Sequence, residues 1–270
     1  MVEINAKYKI GTRRFGLINW VGAWTLYKKE VLRFIAVWIQ TIFSPIVTSL
    51  LFLSVLNLAI GNNRGDVLGV PFITFLAPGL IAMQVIQQAF SHSASSFMIK
   101  KIDGSIVDIL YAPLSAGEVT AAVILSATTR SIIIAIISII TFFFIVEIKI
   151  TNFFTLLAYT FLSSFILGAT GMIAGLWAEK FDHMATVTNF IIIPLSFLSG
   201  TFYTIDRLPE YLQIASKLNP FFYMIDGFRF SFIGVADSSI FYGLIYLTAL
   251  SIIFCVTAYL LFKIGYKTKS

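Results

Sequence analysis

The residue types that do chemistry in enzymes are sparse in this chain of 270 residues. Its two histidines, His92 and His183, lie at the ends of different apolar segments. A Ser-His-Asp set could be assembled from Ser93, His92 and Asp108, but no strained turn that would present a nucleophile surrounds them. Two histidines without cysteine partners also make a poor set of metal ligands. We expect neither a catalytic nor a metal site.

ATP is not expected to bind here either, because the sequence has no G-x-x-x-x-G-K-[ST] motif, the loop in which many ATPases hold phosphates. We therefore expect no cofactor and no enzyme activity in this chain. The lone cysteine, Cys255, lies in an apolar run and is expected to be an inert packing residue.

Arg130 is the one ionisable residue in the middle of an apolar stretch, beside Thr129 and Ser131. In one interpretation it extends to the cytosolic interface or pairs with an acid of a neighbouring helix. In the other it faces a translocation path and binds an anionic headgroup. Both remain open. The acids lie almost entirely near segment ends, which argues against an ion relay through the membrane.

Composition decides the class of protein. Hydrophobic residues make up 58% of the sequence and charged residues only 12%, against about 25% charged residues in a typical soluble domain. So few polar residues could not cover a surface in water, and we predict an integral membrane protein in contact with lipid. The net charge is +6. Its basic residues are dispersed at segment ends, so nucleic-acid binding is not expected.

Six segments are long and apolar enough to cross a bilayer, which takes about 20 residues. They are Phe34–Ile60, Phe72–Phe97, Glu118–Val146, Phe153–Trp177, Met184–Phe202 and Ile240–Phe262. Continuous apolar runs such as Ser131–Val146 lack the two-residue alternation of a barrel strand, so the spans are predicted to be helices. The expected fold class is an all-α integral membrane protein, with a six-helix domain over 34–262.

Basic residues predict the orientation of the spans. Most of them fall in residues 1–33, in the loops after the second and fourth spans (residues 100–101 and 180) and in residues 263–270. If the chain crosses six times, these four segments lie on the same side of the membrane. Because cytoplasmic segments are enriched in Lys and Arg, both termini are predicted to be cytoplasmic.

Residues 16–33 are predicted to form an amphipathic helix in the membrane interface. One face is aromatic and apolar and the other is polar: Trp20, Trp24, Tyr27 and Val31 against Asn19, Lys29, Glu30 and Arg33. The alternative is a plain cytosolic extension of the first span.

Between the fifth and sixth spans, 203–233 is predicted to form a re-entrant pair of short helices that dip in from outside. Asp206 is expected to cap the first, over Leu208–Leu218, and the second follows over Phe221–Phe232. A loose outer loop is the alternative, but six aromatic residues argue against it: Phe221, Phe222, Tyr223, Phe228, Phe230 and Phe232.

Gly168, Gly171 and Gly175 give the fourth span a face of small residues, which lets another helix approach closely. That helix could belong to the same chain or to a second copy. The spacing does not decide between them.

The loop between spans two and three suggests a protein partner. Over about 100–114 we predict a short amphipathic helix that ends at Pro113. Ile102, Ile106, Ile109 and Leu110 form its apolar side, and Asp103 and Asp108 its acidic side. Ser115 with Glu118 matches a capping box that starts the third span. Because the two acids would meet an anionic leaflet, we expect the helix to dock in a protein groove rather than on lipid.

On these features the chain resembles the membrane subunit of type-2 ABC exporters, the permeases that carry drugs, lipids or polysaccharides outward. The resemblance covers nearly the whole chain and rests on several motifs in order. They are the tryptophan-rich N-terminal helix, Gly104…Asp108…Leu110…Pro113-Leu114-Ser115, the end of span five over Phe197–Tyr203, Leu208-Pro209, Leu218-Asn219-Pro220 and Gly227-Phe228-Arg229.

The resemblance implies a partner and a mechanism. Two permease chains would form a homodimer in a bacterial plasma (inner) membrane, with two copies of an ABC ATPase subunit that bind ATP and magnesium. The coupling contacts to that ATPase would be Asp103, Gly104, Ile106, Asp108, Leu110 and Pro113. A second, smaller contact would be Glu179, Lys180 and Asp182. The substrate would be a drug, lipid or glycoconjugate moved outward.

Two other functions are kept as alternatives. An ion-coupled or passive transporter would work without an ATPase, driven by a proton or sodium gradient. A membrane scaffold would show no ATP hydrolysis stimulated by substrate in any complex that contains this chain.

Overall fold

The computed structural model describes residue 16 and residues 18–60, 65–146 and 148–267. The predicted tails, 1–33 and 263–270, lie partly outside this set. Within it the chain is α-helical and has no strand, apart from one backbone bridge between Val67 and Val70. The helices are α1 Trp20–Ala36, α2 Ser44–Ile60, α3 Phe72–Ile102, α4 Ile106–Tyr111, α5 Ala116–Phe143, α6 Phe153–Trp177, α7 Phe181–Val187, α8 Ile193–Leu198, α9 Glu210–Leu218, α10 Pro220–Ile233 and α11 Ile240–Lys263.

Six helical stretches in the described part are long and apolar enough to cross a membrane, which confirms the predicted fold class. They are Ile39–Ala59, Phe72–Ile102, Ala116–Phe143, Phe153–Trp177, Phe181–Leu198 and Ile240–Lys263. The first and fifth contain a π-helical turn, Ile39–Phe43 before α2 and Thr188–Ile192 between α7 and α8.

The first span starts later than predicted. α1 continues through Phe34 to Ala36, and the helix breaks at Val37, whose φ and ψ are −116° and 40°. Across this break, the Thr41 hydroxyl donates to the Phe34 carbonyl at 2.7 Å. The span therefore begins at Ile39 rather than at Phe34.

α1 does not turn its whole polar side outward, as an amphipathic helix on a soluble protein would. Trp20 and Trp24 are 73% and 64% exposed, whereas Asn19 and Glu30 are buried against the rest of the bundle. The aromatic face therefore points outward and part of the polar face points inward. That α1 lies in the membrane interface stays a prediction.

α3 and α6 form the centre of the bundle and pack with their backbones in contact. A Cβ on Gly175 would lie 2.7 Å from the Ala94 carbonyl oxygen, and one on Gly171 would overlap the Phe90 carbonyl. Small residues allow this close approach. The glycine face of span four is therefore used within the chain.

The segment between spans five and six forms two helices, close to their predicted bounds. The prediction that Asp206 caps the first helix is wrong, because Asp206 lies in a separate 3-10 turn, Ile205–Arg207. α9 starts only at Glu210, after Pro209. α10 is almost entirely buried in the bundle. Its re-entrant position in a membrane stays a prediction.

The start of α1, the whole of α4 and the ends of α6 and α11 lie at one end of the bundle, here called the α4 end. The Asn19 amide donates to Glu118 Oε1 at 2.6 Å, which joins α1 to the start of α5. The Lys267 Nζ donates to Glu179 Oε1 at 2.6 Å, which joins the segment after α11 to the segment after α6.

Candidate coupling surface and buried charge clusters

α4 follows α3 after a sharp turn and is shorter than predicted. Asp103 caps α3, and Gly104 has a φ of +71°, a left-handed conformation that glycine adopts without strain. α4 then runs only over Ile106–Tyr111, so the predicted helix over 100–114 is wrong in its bounds. Residues 100–102 belong to α3 and continue a membrane-spanning helix.

The two sides of α4 have different surroundings. Ile106 and Ile109 are buried in an apolar cluster with residues of five other helices, among them Leu26, Phe97, Val119, Met172 and Phe262. This burial argues against the predicted coupling contact at Ile106, because the side chain is covered by other helices of the same chain. It attaches α4 to the bundle instead.

The outer side of α4 is exposed and largely apolar. Val107, Asp108, Leu110 and Tyr111 point away from the bundle, and Tyr111 is 87% exposed. The predicted contacts Asp103, Gly104 and Pro113 are also exposed. The predicted contacts did not include Val107 and Tyr111. These two side chains lie one helical turn apart on the same exposed side of α4.

A shared carboxylate joins α4, α5 and α1. The predicted capping box is confirmed: the Ser115 amide donates to Glu118 Oε2 at 2.6 Å, and the Glu118 amide donates to the Ser115 hydroxyl. The other oxygen of Glu118 accepts the Asn19 amide. Asn19 Nδ2 in turn donates to the Pro113 carbonyl at 3.1 Å. The loop after α4 is thus held at both ends.

Lys101, in the last turn of α3, contacts the chain just before the second predicted coupling segment. Its Nζ donates to the carbonyl oxygens of Leu176, at 2.7 Å, and Ala178, at the end of α6. A cation is favourable at this position because the last carbonyls of a helix are unpaired and the helix dipole is negative there.

Glu179, Lys180 and Asp182 follow directly and are all exposed. Lys180 is the residue before α7, and Asp182 lies in its first turn. The hydrogen bond and the charge of Lys267 lower the pKa of the Glu179 carboxyl, which is therefore ionised at neutral pH. The structure brings both predicted coupling segments to the α4 end.

A buried charge cluster lies behind α4, between α1 and α3. The Glu30 carboxylate accepts from Lys100 Nζ, from Arg33 Nε at 3.1 Å and from the Ser96 hydroxyl at 2.9 Å. Burial opposes ionisation of Glu30, but Lys100 and Arg33 outweigh it and lower its pKa to about 2. Sequence reasoning missed this cluster, because it placed Glu30 on the polar face of an interfacial helix.

Arg130 is buried and interacts with an amide rather than with an acid. It donates to Gln88 Oε1 on α3 and to the Thr41 carbonyl of the π-helical turn. Its Nε has no hydrogen-bond partner among the residues that the structure describes. One helical turn away, His92 Nε2 and the Ser126 hydroxyl are 3.0 Å apart. Polar side chains therefore link α3 and α5 over two successive turns.

A family model described as ABC-2 type transporter matches residues 22–233. The chain belongs to the ABC-2 type transporter family.

Relatives of this ABC-2 permease span most of its length. It is 32% identical over 220 residues to the inner membrane transport permease YadH of Escherichia coli K12, covering 82% of this chain and 86% of that protein. It is 23% identical over 222 residues to nodulation protein J of Rhizobium leguminosarum bv. trifolii, covering 79% and 81%. The resemblance found in the sequence is confirmed.

Membership fixes the class of function. The chain is the membrane subunit of an ABC transporter, it works with an ABC ATPase subunit, and it is a transport protein rather than an enzyme. It is a multi-pass protein of the inner membrane. In the described part of the permease, no three His, Cys, Asp or Glu residues are grouped as ligands of a metal ion.

A second buried charge cluster lies at the opposite end of the permease. Arg229 is fully buried and donates to Asp226 and Asp237, each at 3.1 Å, and to the Gly200 carbonyl at 2.9 Å. Asp226 also accepts the backbone amides of Asp237 and Ser238. The cluster fixes the end of span five and the loop before α11 to α10. In the sequence analysis Arg229 appeared only in the Gly227-Phe228-Arg229 motif, and its pairing with Asp226 and Asp237 was not predicted.

Proposed function

We propose that this permease is the membrane half of an ATP-driven exporter, with ATP and magnesium bound by a separate ATPase subunit. The outer side of α4 is its main contact with that ATPase. Asp103, Gly104, Asp108, Leu110 and Pro113 take part as predicted, together with Val107 and Tyr111.

The observation that supports this proposal is the two-sided environment of α4. An exposed apolar patch at the end of a bundle favours a protein partner. The opposite side of the same short helix is buried among helices α1, α3, α5, α6 and α11. A force applied to the outer side of α4 would therefore act on the apolar cluster to which these helices contribute.

Glu179, Lys180 and Asp182 form the proposed second contact. Lys101 donates to the Leu176 and Ala178 carbonyls just before this segment, which brings the two proposed contacts close together. Both would face the cytoplasm together, since they lie at the same end of the bundle.

Orientation and assembly are part of the proposal. The α4 end is rich in Lys and Arg, which supports a cytoplasmic position for it and for both termini. Two permease chains and two ATPase subunits form the transporter. The glycine face of α6 does not contribute to this homodimer, because it is occupied by α3.

The proposed direction is outward and the proposed substrate is a drug, lipid or glycoconjugate. The relatives' names, inner membrane transport permease YadH and nodulation protein J, state neither a substrate nor a direction.

Co-purification tests the proposal. The permease is tagged, solubilised gently from native membranes, and assayed for a stoichiometric P-loop ATPase and for ATP hydrolysis. The double variant Asp108→Arg with Leu110→Asp reverses a charge and places a carboxylate in the apolar patch. We expect it to reduce ATPase recovery about tenfold or more, the size of a hot-spot loss in an interface.

The double variant Glu210→Arg with Leu218→Asp is the matched control, because it makes the same changes on exposed residues of α9 at the opposite end. It should leave ATPase recovery unchanged. If the α4 variant also retains the ATPase, the coupling assignment is wrong. If the wild-type permease purifies alone and without ATPase activity, a gradient-driven transporter becomes the better hypothesis.

A further inference from the structure

The second half of α3 has an exposed face that is polar, although it belongs to a membrane-spanning helix. Up to Ala82 the helix is mostly buried on all sides. Between residues 83 and 99, seven side chains are partly or fully exposed. Two are apolar, Met83 and Ile99, and the other five are polar and at helical spacing: Gln84, Gln87, Gln88, Ser91 and Ser95. We call these five residues the α3 polar face.

Such a face does not suit contact with lipid tails. An amide or hydroxyl that leaves water without a hydrogen-bond partner costs several kcal/mol, on the order of 2–7. Polar residues within membrane spans usually face a water-filled cavity or another polar group. The α3 polar face therefore lies toward a hydrated path or a polar ligand.

Two arginines touch this face. Arg130 donates to Gln88 from α5, and Arg33 of α1 reaches the carbonyl of His92 at 3.1 Å and the hydroxyl of Ser95 at 3.5 Å. They thus contact the α3 polar face about two helical turns apart.

The charge in this region is unbalanced. Arg33, Lys100 and Arg130 are cationic, and in the described part Glu30 is the acid that contacts any of them. Lys100 and Arg33 share that carboxylate. Arg130 is only 6% exposed and donates to neutral oxygens, and its Nε has no partner among the residues that the structure describes. A buried guanidinium without a counter-ion is unfavourable unless an anion completes the site.

We propose that the α3 polar face, with Arg33 and Arg130, binds the anionic headgroup of an amphiphilic substrate of this permease. The two guanidinium groups pair with a phosphate or carboxylate, and the glutamines and serines hydrogen-bond to its polar substituents. Guanidinium is suited to this because its fork of donors matches the oxygens of such anions. The inference rests on the proposed export function and narrows it to acidic amphiphiles.

Lipid retention measures binding of the headgroup. Purified permease is incorporated into nanodiscs that contain phosphatidylglycerol and phosphatidylcholine with the same acyl chains. The retained lipids are then counted by native mass spectrometry. For Arg33→Gln and Arg130→Gln we expect retained phosphatidylglycerol to fall about tenfold, the loss of one charge-assisted hydrogen bond, with phosphatidylcholine unchanged.

Arg207→Gln is the matched control, since it removes the same charge from an exposed site at the other end. Arg130→Lys keeps the charge but loses the fork of donors, so it should retain only part of the binding. Gln84→Leu with Gln87→Leu is a second test that does not depend on a buried arginine, because leucine is well tolerated in a membrane helix. It too should weaken retention.

Measuring ATP hydrolysis distinguishes two sources of the anion, a transported lipid and a resident one. In the complex with the ATPase, hydrolysis that rises with phosphatidylglycerol and falls in Arg33→Gln identifies a transported headgroup. Retention without stimulation identifies a resident lipid at the same site, and both support the site. Equal retention in Arg33→Gln, Arg130→Gln, Gln84→Leu with Gln87→Leu, and wild type overturns it, and a second copy of the chain would then cover the face. ATPase co-purification is unaffected by that outcome, so the export proposal is judged separately.

Discussion

Lys101 Nζ lies 2.7 Å from the carbonyl oxygen of Leu176 and so joins the turn before α4 to the last turn of α6. The two residues are far apart in the sequence and belong to different spans. The lysine satisfies carbonyls that would otherwise be unpaired at the helix end. We therefore expect the two proposed ATPase-binding segments to be mechanically dependent on each other.

Replacing Lys101 with methionine tests this dependence. Methionine keeps most of the side-chain volume but donates no hydrogen bond, so the end of α6 should separate from the α4 turn. With spin labels at Asp108 and Asp182, we expect a narrow distance distribution in the wild type and a broader one in Lys101→Met. Lys217→Met, in the last turn of α9, is the control. An unchanged distribution would show that Lys101 is dispensable for this contact.

Acid should remove the stabilisation that Glu30 provides. The folded protein lowers the pKa of Glu30 from 4.5 to about 2, so the ionised carboxylate is the form that folding favours. Its contribution is fully present above pH 4.5 and is lost as the pH falls toward 2. A shift of this size corresponds to roughly 3 kcal/mol.

The measurement is thermal unfolding in detergent between pH 7 and pH 3. Glu30→Gln should unfold at a lower temperature than wild type at pH 7, and this difference should shrink toward pH 3. Glu210→Gln, which changes an exposed glutamate, should follow the wild type throughout. A constant difference across the pH range would mean that the ionised Glu30 is not what stabilises α1 on α3.

Removing Arg229 should destabilise the end of the permease opposite α4. Arg229→Leu leaves the carboxylates of Asp226 and Asp237 buried without their cation, which typically costs about 3–5 kcal/mol. Arg229→Lys should recover only part of this, because one ammonium group cannot reproduce the planar guanidinium contacts with three acceptors. Thermal unfolding gives the comparison, with the exposed Arg207→Leu as control. Equal stability of Arg229→Leu and wild type would contradict the role of the cluster.

Gly171 should not tolerate a methyl group. A Cβ there would overlap the Phe90 carbonyl, so Gly171→Ala has to push α6 away from α3. We expect a clear loss of thermal stability and of yield in the membrane. Gly117→Ala is the control, because its Cβ would lie 3.9 Å from the nearest atom and alanine favours a helix. Similar behaviour of both variants would rule out close packing at Gly171.

Apolar segment length and capping chemistry were enough to predict much of this fold. The six spans, the Ser115–Glu118 capping box and the two helices before α11 follow from hydrophobic length and from the local preferences of Ser, Glu, Asn and Pro. These signals are local. The start of the first span was misplaced because Phe34 is apolar enough to belong to either helix.

The buried charges were not predictable in the same way. In water a polar helix face points outward, but in α1 the tryptophans point outward and Glu30 points inward, so amphipathic spacing alone does not assign the faces. Lys100 is near a helix end, where a sequence suggests exposure. Only the packing of α1 on α3 shows that it is buried with Glu30. The inward face of α4 at Ile106 was missed for the same reason.

The glycine contact between α3 and α6 also limits where the permease can change shape. Two helices with touching backbones cannot slide or rotate past each other without separating, because there is no side-chain layer between them to rearrange. Opening and closing of the permease must therefore involve spans other than α3 and α6. A pair of probes on α3 and α6 would give an internal reference length that stays constant through the transport cycle, against which every other displacement can be measured.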